Sequence, residues 1–263
     1  MASFSFQDKI TIVTGASSGI GRAVALELAR QGAHLALASR NTPALEQLAQ
    51  QIHSMGGEVL VVSTDVAQQS QVEAMVAQTL ARWGRLDILV SNAGQYVRSP
   101  IAKMTLQTLN HSMAVNFYGG VYAVMAVLPH MLAQRSGRIV LVSSMAAKTP
   151  LTPDAPYVAA KSALSGFGDV LRQELYHTGI TVTLVCPGRV DSPMIEHLDV
   201  HWMSAKISSE KVARAIVRGI RRGKAEVILP PQTMLLYLFR FLSPPLMDFA
   251  ARLFHLEGWE KRT

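Results

Sequence analysis

Tyr157 and Lys161 stand four positions apart in "APYVAAKSAL", immediately after a Pro-rich loop. On a helix that spacing puts a phenol and an ammonium on one face, one turn apart. A free phenol with a pKa of ~10 is a poor acid near neutrality. A cation a few ångströms away favours phenolate and commonly shifts such a pKa by roughly 1–3 units. The pair is therefore either a surface contact of no consequence or a device that lets a tyrosine exchange protons with a reacting oxygen. Spacing alone does not separate the two, because Y-x-x-x-K arises by chance.

A second chemical signal lies near the N-terminus. The apolar run "ITIVT" leads directly into "TGASSGIG", which sets Gly15, Gly19 and Gly21 at a strand-to-helix turn. Glycines there let the main chain turn tightly and approach a ligand. The helix start offers free N–H groups and a positive dipole end to a pyrophosphate. The second apolar run closes in "ASRN". Where NAD-binding folds usually carry an acid for the ribose 2′-hydroxyl, Ser39 and Arg40 stand here. A guanidinium clamps a 2′-phosphate and a carboxylate repels it, so these residues point to NADP(H).

The elements that must position these groups follow from hydrophobic patterning. Apolar runs at 10–14, 34–39, 58–63, 86–91, 138–143 and 181–186 alternate with helix-like stretches at 19–31, 43–54, 70–82, 105–133 and 157–178. Thr42 before Pro43 reads as the N-cap of the second helix. Continuous rather than alternating apolar runs suit parallel strands buried on both faces. Regular strand–helix alternation predicts right-handed crossovers and a doubly wound α/β Rossmann fold. A strand at 225–229 makes the sheet seven-stranded, leaving residues 1–230 as one domain and 231–263 as a tail.

Bulk properties narrow the function class. With 49% hydrophobic and 16% charged residues the chain of 263 is globular rather than disordered. A net charge of +7 suits nucleic acid, an anionic membrane or a phosphorylated ligand equally. No aromatic-interleaved basic surface or reader motif supports nucleic acid. The single cysteine, Cys186, forbids an intrachain disulfide and reads as a core residue in a reducing compartment. The histidines show no ligand spacing, so no metal site is expected. The short polar start "MASFSFQDK" carries no secretory signal, which predicts a cytoplasmic, not secreted, protein.

Taken together, "TGASSGIG", Asp65–Val66, "SNAG", Asn116, Ser144, Tyr157/Lys161 and "PGRVDS" occur in an order that resembles the short-chain dehydrogenase/reductase family. The likeness spans residues 8–230. It implies a seven-stranded parallel sheet, a nicotinamide cofactor and reduction of a ketone or aldehyde to an alcohol, or the reverse. The cofactor contacts it implies are Gly15, Ser17, Ser18, Gly19, Ile20 and Gly21 of the loop, then Ser39, Arg40 and Asn41. Asp65 and Val66 follow at the adenine, with Asn92, Ala93 and Gly94 beside it. Pro187, Gly188, Val190 and Ser192 complete the set, with Ser192 over the carboxamide.

The resemblance also assigns chemistry. Asn116 corresponds to a helix-kink asparagine that holds a water in a proton relay. Ser144, thirteen positions before Tyr157, hydrogen-bonds the substrate oxygen. Tyr157 is the proton donor or acceptor, and Lys161 binds the nicotinamide ribose and lowers the tyrosine pKa. Two positions depart from the pattern: Ser91 replaces a commoner asparagine, and Ser18 lacks a basic side chain that some NADP-dependent members carry. Arg40 is then the main 2′-phosphate contact. The segment after "PGRVDS" supplies Met194, Ile195, Leu198 and Trp202 as apolar substrate contacts.

The tail contains the apolar stretch 234–242 and then Leu246, Phe249, Ala250, Leu253 and Phe254 at helical spacing after Ser243-Pro244-Pro245. Neither piece reaches the ~20 apolar residues of a spanning helix. Upstream, Lys211, Arg214, Arg218, Arg221 and Arg222 form a basic stripe opposite Val212, Ile216 and Ile220. Three roles for the tail stay open: a membrane-surface anchor through 231–256, a lid over a lipophilic substrate, or a subunit interface. The family commonly forms homodimers and homotetramers. A non-catalytic NADP(H)-binding sensor or scaffold is the competing function, and the Asn116/Ser144/Tyr157/Lys161 set speaks against it.

Overall fold

The computed structural model describes residues 4–200, 205–254, 256 and 259–260. The apolar runs become strands β1 (Ile10–Thr14), β2 (His34–Ser39), β3 (Val59–Ser63), β4 (Ile88–Ser91), β5 (Gly137–Val142) and β6 (Ile180–Pro187). Between them run α1 (Gly19–Ala29), α2 (Thr42–Ser54), α3 (Gln69–Trp83), α4 (Leu106–Met113), α5 (Gly119–Gln134) and α6 (Ala155–Glu174). Short strands β7 (Val190–Asp191), β8 (Leu198–Asp199) and β9 (Ile207–Ser208) precede α7 (Ser209–Arg222) and β10 (Glu226–Leu229). The chain closes with α8 (Thr233–Leu242), α9 (Pro244–Leu253) and β11 (Trp259–Glu260), which pairs antiparallel with β8.

Seven strands form one parallel sheet in the order β3-β2-β1-β4-β5-β6-β10. Strand order reverses between β1 and β4, where Val13 faces Leu37 on one side and Val90 on the other. A parallel sheet opens its ligand crevice at the carboxyl ends of the strands flanking that point. Alternate residues serve opposite faces. Val13, Leu35, Leu37 and Val90 pack with α1, α2 and α7, whereas Ile12, Ala36, Leu89 and Ile139 pack with α3, α5 and α6. Both faces being covered explains why the strands are apolar throughout.

Several local details refine the expectation from sequence. The cap of α2 is Asn41, whose side chain accepts from the Ala44 N–H at 3.2 Å; Thr42 already lies inside the helix. Asparagine is the stronger cap. The predicted 105–133 helix is two α-segments joined by a π-helical turn over Ala114–Tyr118. The rod from Leu106 to Gln134 is long and apolar enough to span a bilayer by composition, yet Val124, Val127 and Met131 are buried in the core. On α7, Val212, Ile216 and Ile220 are buried as the stripe pattern predicts.

Ser243 does cap α9, accepting from the Leu246 N–H at 3.4 Å. Of the apolar stripe read from the sequence, Leu246, Phe249 and Leu253 are exposed, while Met247, outside that stripe, is buried. The helix presents Met247 inward and its larger apolar stripe outward.

Candidate active site

The glycine loop at the end of β1 is shaped by close approach. Gly15 has φ +65° and Gly19 φ +52°, both in the left-handed region that favours glycine. A Cβ on Gly21 would lie 2.3 Å from the Gly15 carbonyl oxygen and 2.6 Å from Asn92 Nδ2. Asn92 Nδ2 donates to the carbonyls of Thr14 (3.0 Å) and Gly15 (3.3 Å). Thr14 Oγ1 in turn accepts the N–H groups of Asn92 (3.0 Å) and Ala93 (3.1 Å). These bonds tie the ends of β1 and β4 together under the loop. Ser18, before α1, makes no side-chain cap, so its hydroxyl does not occupy the first N–H groups of α1.

From this loop a cavity of about 810 Å³ runs along the strand ends. Ser17, Ser18, Ile20, Ser39, Arg40 and Asn41 line one end, followed by Asp65, Val66, Asn92, Ala93 and Gly94. Ser39 Oγ accepts from the Asn41 N–H at 3.1 Å, and Arg40 is exposed at the rim. Asp65 Oδ1 accepts from the Ala67 N–H at 3.0 Å. Pro187, Gly188, Val190 and Ser192 line the cavity from the β6 side. Gly21 sits behind the lining, packed on Gly15 and Asn92.

At the far end the cavity meets Ser144, Tyr157, Lys161 and Asn116. Ser144 follows β5 and orients its hydroxyl by accepting from the Ala146 N–H at 3.1 Å. Tyr157 and Lys161 lie on α6, whose buried face holds Lys161 at 3% exposure. The ammonium donates to the Val142 carbonyl at 2.9 Å. Removal from water pushes the Lys161 pKa down to about 8. Burial pushes Tyr157 up to about 12, with the Ser144 hydrogen bond opposing and Asp154 adding; the lowering by Lys161 expected from the sequence is outweighed by removal of the phenol from water. The tyrosine keeps part of its surface open, but only toward the cavity.

Asn116 sits on the π-helical turn at 1% exposure. Its Oδ1 accepts the Gln95 N–H at 3.0 Å, and its Nδ2 donates to the Gln95 carbonyl at 2.9 Å and to the Ser112 carbonyl at 3.1 Å. The side chain is thus committed to clamping the segment after β4. Gly94 is forced by the same crowding, since a Cβ there would stand 2.9 Å from Asn116 Oδ1 and 3.3 Å from Lys161 Nζ.

Of the apolar contacts expected for a substrate, Met194 and Ile195 line the cavity. Leu198 does not. It is 1% exposed within β8, and the pairing with β11 holds it away from the opening. Trp202 lies outside the described residues. The cavity wall also takes residues that pattern reasoning missed: Tyr96, Met145, Leu151 and Arg189, and from the tail Leu236, Met247 and Leu256. Arg240 and Tyr237 dock α8, the former donating to the Lys148 carbonyl and the latter lying 5.5 Å beneath the Lys148 ammonium.

The sheet order and glycine cradle define a Rossmann-type protein with room for a dinucleotide. Comparison with known proteins narrows this. A short chain dehydrogenase family model matches residues 9–201. An uncharacterised oxidoreductase of Staphylococcus epidermidis is 36% identical over 211 residues, covering 80% of this chain and 90% of that protein. An 11-beta-hydroxysteroid dehydrogenase-like protein of Arabidopsis thaliana is 36% identical over 247 residues, 92% of this chain and 79% of its own. An actinorhodin polyketide ketoreductase solved with NADPH superposes with TM-score 0.79 at 28% identity, covering 87% and 97% of the two chains. A Burkholderia phymatum enzyme solved with NAD shares the fold at TM-score 0.86 and 24% identity, covering 92% and 96%. The chain belongs to the short-chain dehydrogenase family and is an oxidoreductase.

Proposed function

We propose that the chain is an NADPH-dependent carbonyl reductase acting on a lipophilic ketone or aldehyde, with Tyr157 as general acid. One observation carries this reading: Ser144, Tyr157 and Lys161 converge at one end of a cavity whose other end is the glycine loop. The loop fits a dinucleotide because a Cβ at Gly15 or Gly21 would strike Ala93, Asn92 or the Gly15 carbonyl and push the turn out of shape. The loop from Gly15 to Ile20 would hold the pyrophosphate, Asp65 the adenine and Lys161 the nicotinamide ribose. When bound, the reduced nicotinamide supplies a hydride to the carbonyl carbon.

The chain's own residues handle the oxygen. Ser144 donates a hydrogen bond to it and stabilises the charge that develops there. Tyr157, held as phenol by burial, gives its proton to the alkoxide, a far stronger base than phenolate. The Lys161 charge stabilises the phenolate left behind, and a proton from solvent then restores the phenol. In oxidation the same groups run in reverse.

Arg40 at the rim supports NADP(H) over NAD(H), since no acid occupies positions 39–41. Met145, Met194, Ile195, Leu236 and Met247 give the substrate half an apolar wall, which supports a lipophilic substrate. The tail serves two of its three expected roles at once in this reading. Its inner residues roof the cavity, and its outer face exposes Leu235, Leu238, Phe241, Leu242, Phe249 and Leu253 for docking on a membrane surface. Exposed Met125, Leu132 and Val170 on α5 and α6 support a homodimer or homotetramer. The test is a panel of steroid, fatty-acyl and small polar carbonyls with NADPH or NADH, followed by cofactor oxidation. Faster turnover of small polar carbonyls than of apolar ones contradicts the substrate class.

A further inference from the structure

Asp154 precedes α6 by one residue, where an aspartate ordinarily caps its own helix. Here its side chain accepts nothing from α6, and only its main-chain carbonyl takes the Val158 N–H, at 2.8 Å. The residue is only 4% exposed, and its carboxylate turns to the segment after β4 instead. Oδ2 accepts the Tyr96 hydroxyl at 2.6 Å, and Oδ1 accepts Arg98 Nε at 3.2 Å. Arg189, from the turn after β6, acts on both Asp154 and Tyr96 as a nearby positive charge. Main-chain pairing reinforces the junction, with the Ser99 N–H donating to the Pro153 carbonyl at 2.8 Å.

The consequence falls on Tyr157. With its hydroxyl fixed, the Tyr96 ring stands edge-on to the Tyr157 ring, centroids 5.1 Å apart and planes at 86°. Asp154 itself lies three residues before Tyr157, at the start of the same helix. We propose that Asp154 is a positioning residue for the phenol: it braces the Tyr157 ring through Tyr96 and sets a fixed negative charge beside it, holding the phenol in its proton-donating form.

The groups facing Tyr157 make the sign definite. A hydrogen bond with Ser144 eases ionisation, Lys161 Nζ lies 5.9 Å from the ring centre, Tyr96 stands edge-on to it, and Asp154 and Cys186 oppose ionisation electrostatically. Phenolate beside a carboxylate is disfavoured. Removing the carboxylate charge leaves Arg98 and Arg189 less compensated, which favours phenolate further. Removing a guanidinium does the opposite.

This role rests on Tyr157 being the acid, so the test reads the phenol directly as well as turnover. Protein labelled with ¹³C-tyrosine is titrated by NMR, the Tyr157 signal being assigned with Tyr157→Phe. Asp154→Asn keeps the shape and can still accept from Tyr96. It is expected to bring the onset of phenolate down by roughly one pH unit, with the alkaline limb of kcat moving the same way and KM for NADPH within about twofold. Arg98→Met is expected to move the onset up, an opposite shift that loss of packing does not produce. Tyr96→Phe, which frees the ring, lowers kcat by about tenfold with the onset near wild type. Unchanged onset and kcat in both Asp154→Asn and Tyr96→Phe overturns the proposal, as does a shift of one sign in Asp154→Asn and Arg98→Met. A wild-type protein inert to all ketones would sink the reductase reading instead, and the titration distinguishes the two.

Discussion

The Lys161 ammonium donates to the Val142 carbonyl at 2.9 Å while lying 5.9 Å from the centre of the Tyr157 ring. The lysine is therefore anchored to the end of β5 and lies over the phenol ring. Its folded pKa of about 8 lies below the ordinary 10.5. Between those values the unfolded chain holds more protons, so stability rises with pH across that window. The rise attributable to Lys161 is about 3 kcal/mol. Lys161→Met should flatten it, measured by urea unfolding at pH values from 7.5 to 10. Tyr157 acts in the other sense, costing stability only above its ordinary value of 10.

Arg40 should decide the cofactor. Arg40→Ala is expected to weaken NADPH by about 10- to 100-fold, the worth of a charge-assisted contact, and to leave NADH within about threefold. Fluorescence titration with each cofactor measures this. Equal weakening of both would remove Arg40 from the 2′-phosphate.

Gly21→Ala forces a Cβ to 2.3 Å from the Gly15 carbonyl oxygen. The loop must shift, at a cost of roughly 1–3 kcal/mol. Thermal unfolding should show the loss, and calorimetry should show much weaker cofactor binding. A variant with unaltered affinity would mean the cradle is not where the dinucleotide lies.

Phe241 and Phe249 are 77% and 62% exposed on the outer face of the tail. Wild type should co-sediment with vesicles containing anionic lipid, and Phe241→Glu/Phe249→Glu should stay in the supernatant. Reduction of a small soluble ketone should be unchanged within about twofold. Equal sedimentation of both proteins would rule out docking through this face.

Much of the fold was legible because each strand is buried on two faces and so reads as an unbroken apolar run. The glycine loop was legible because local main-chain geometry dictates glycine. The tail's facing was not: periodicity reveals that α9 has an apolar stripe, but Met247 and Leu246 differ by one position and only tertiary packing chooses between them. The Tyr96–Asp154 bond was equally hidden, since it joins two loops 58 residues apart. Neither residue has a local pattern that marks it. Leu198 was misplaced for a related reason, because its pairing partner lies near the C-terminus.

Cofactor oxidation by the wild-type chain and by Tyr157→Phe, in the presence of an apolar ketone, tests the central claim most directly. The expected result is steady turnover by the first and a loss of at least about 10³-fold in the second, with NADPH affinity within about threefold. Undiminished turnover without the phenol hydroxyl would contradict it.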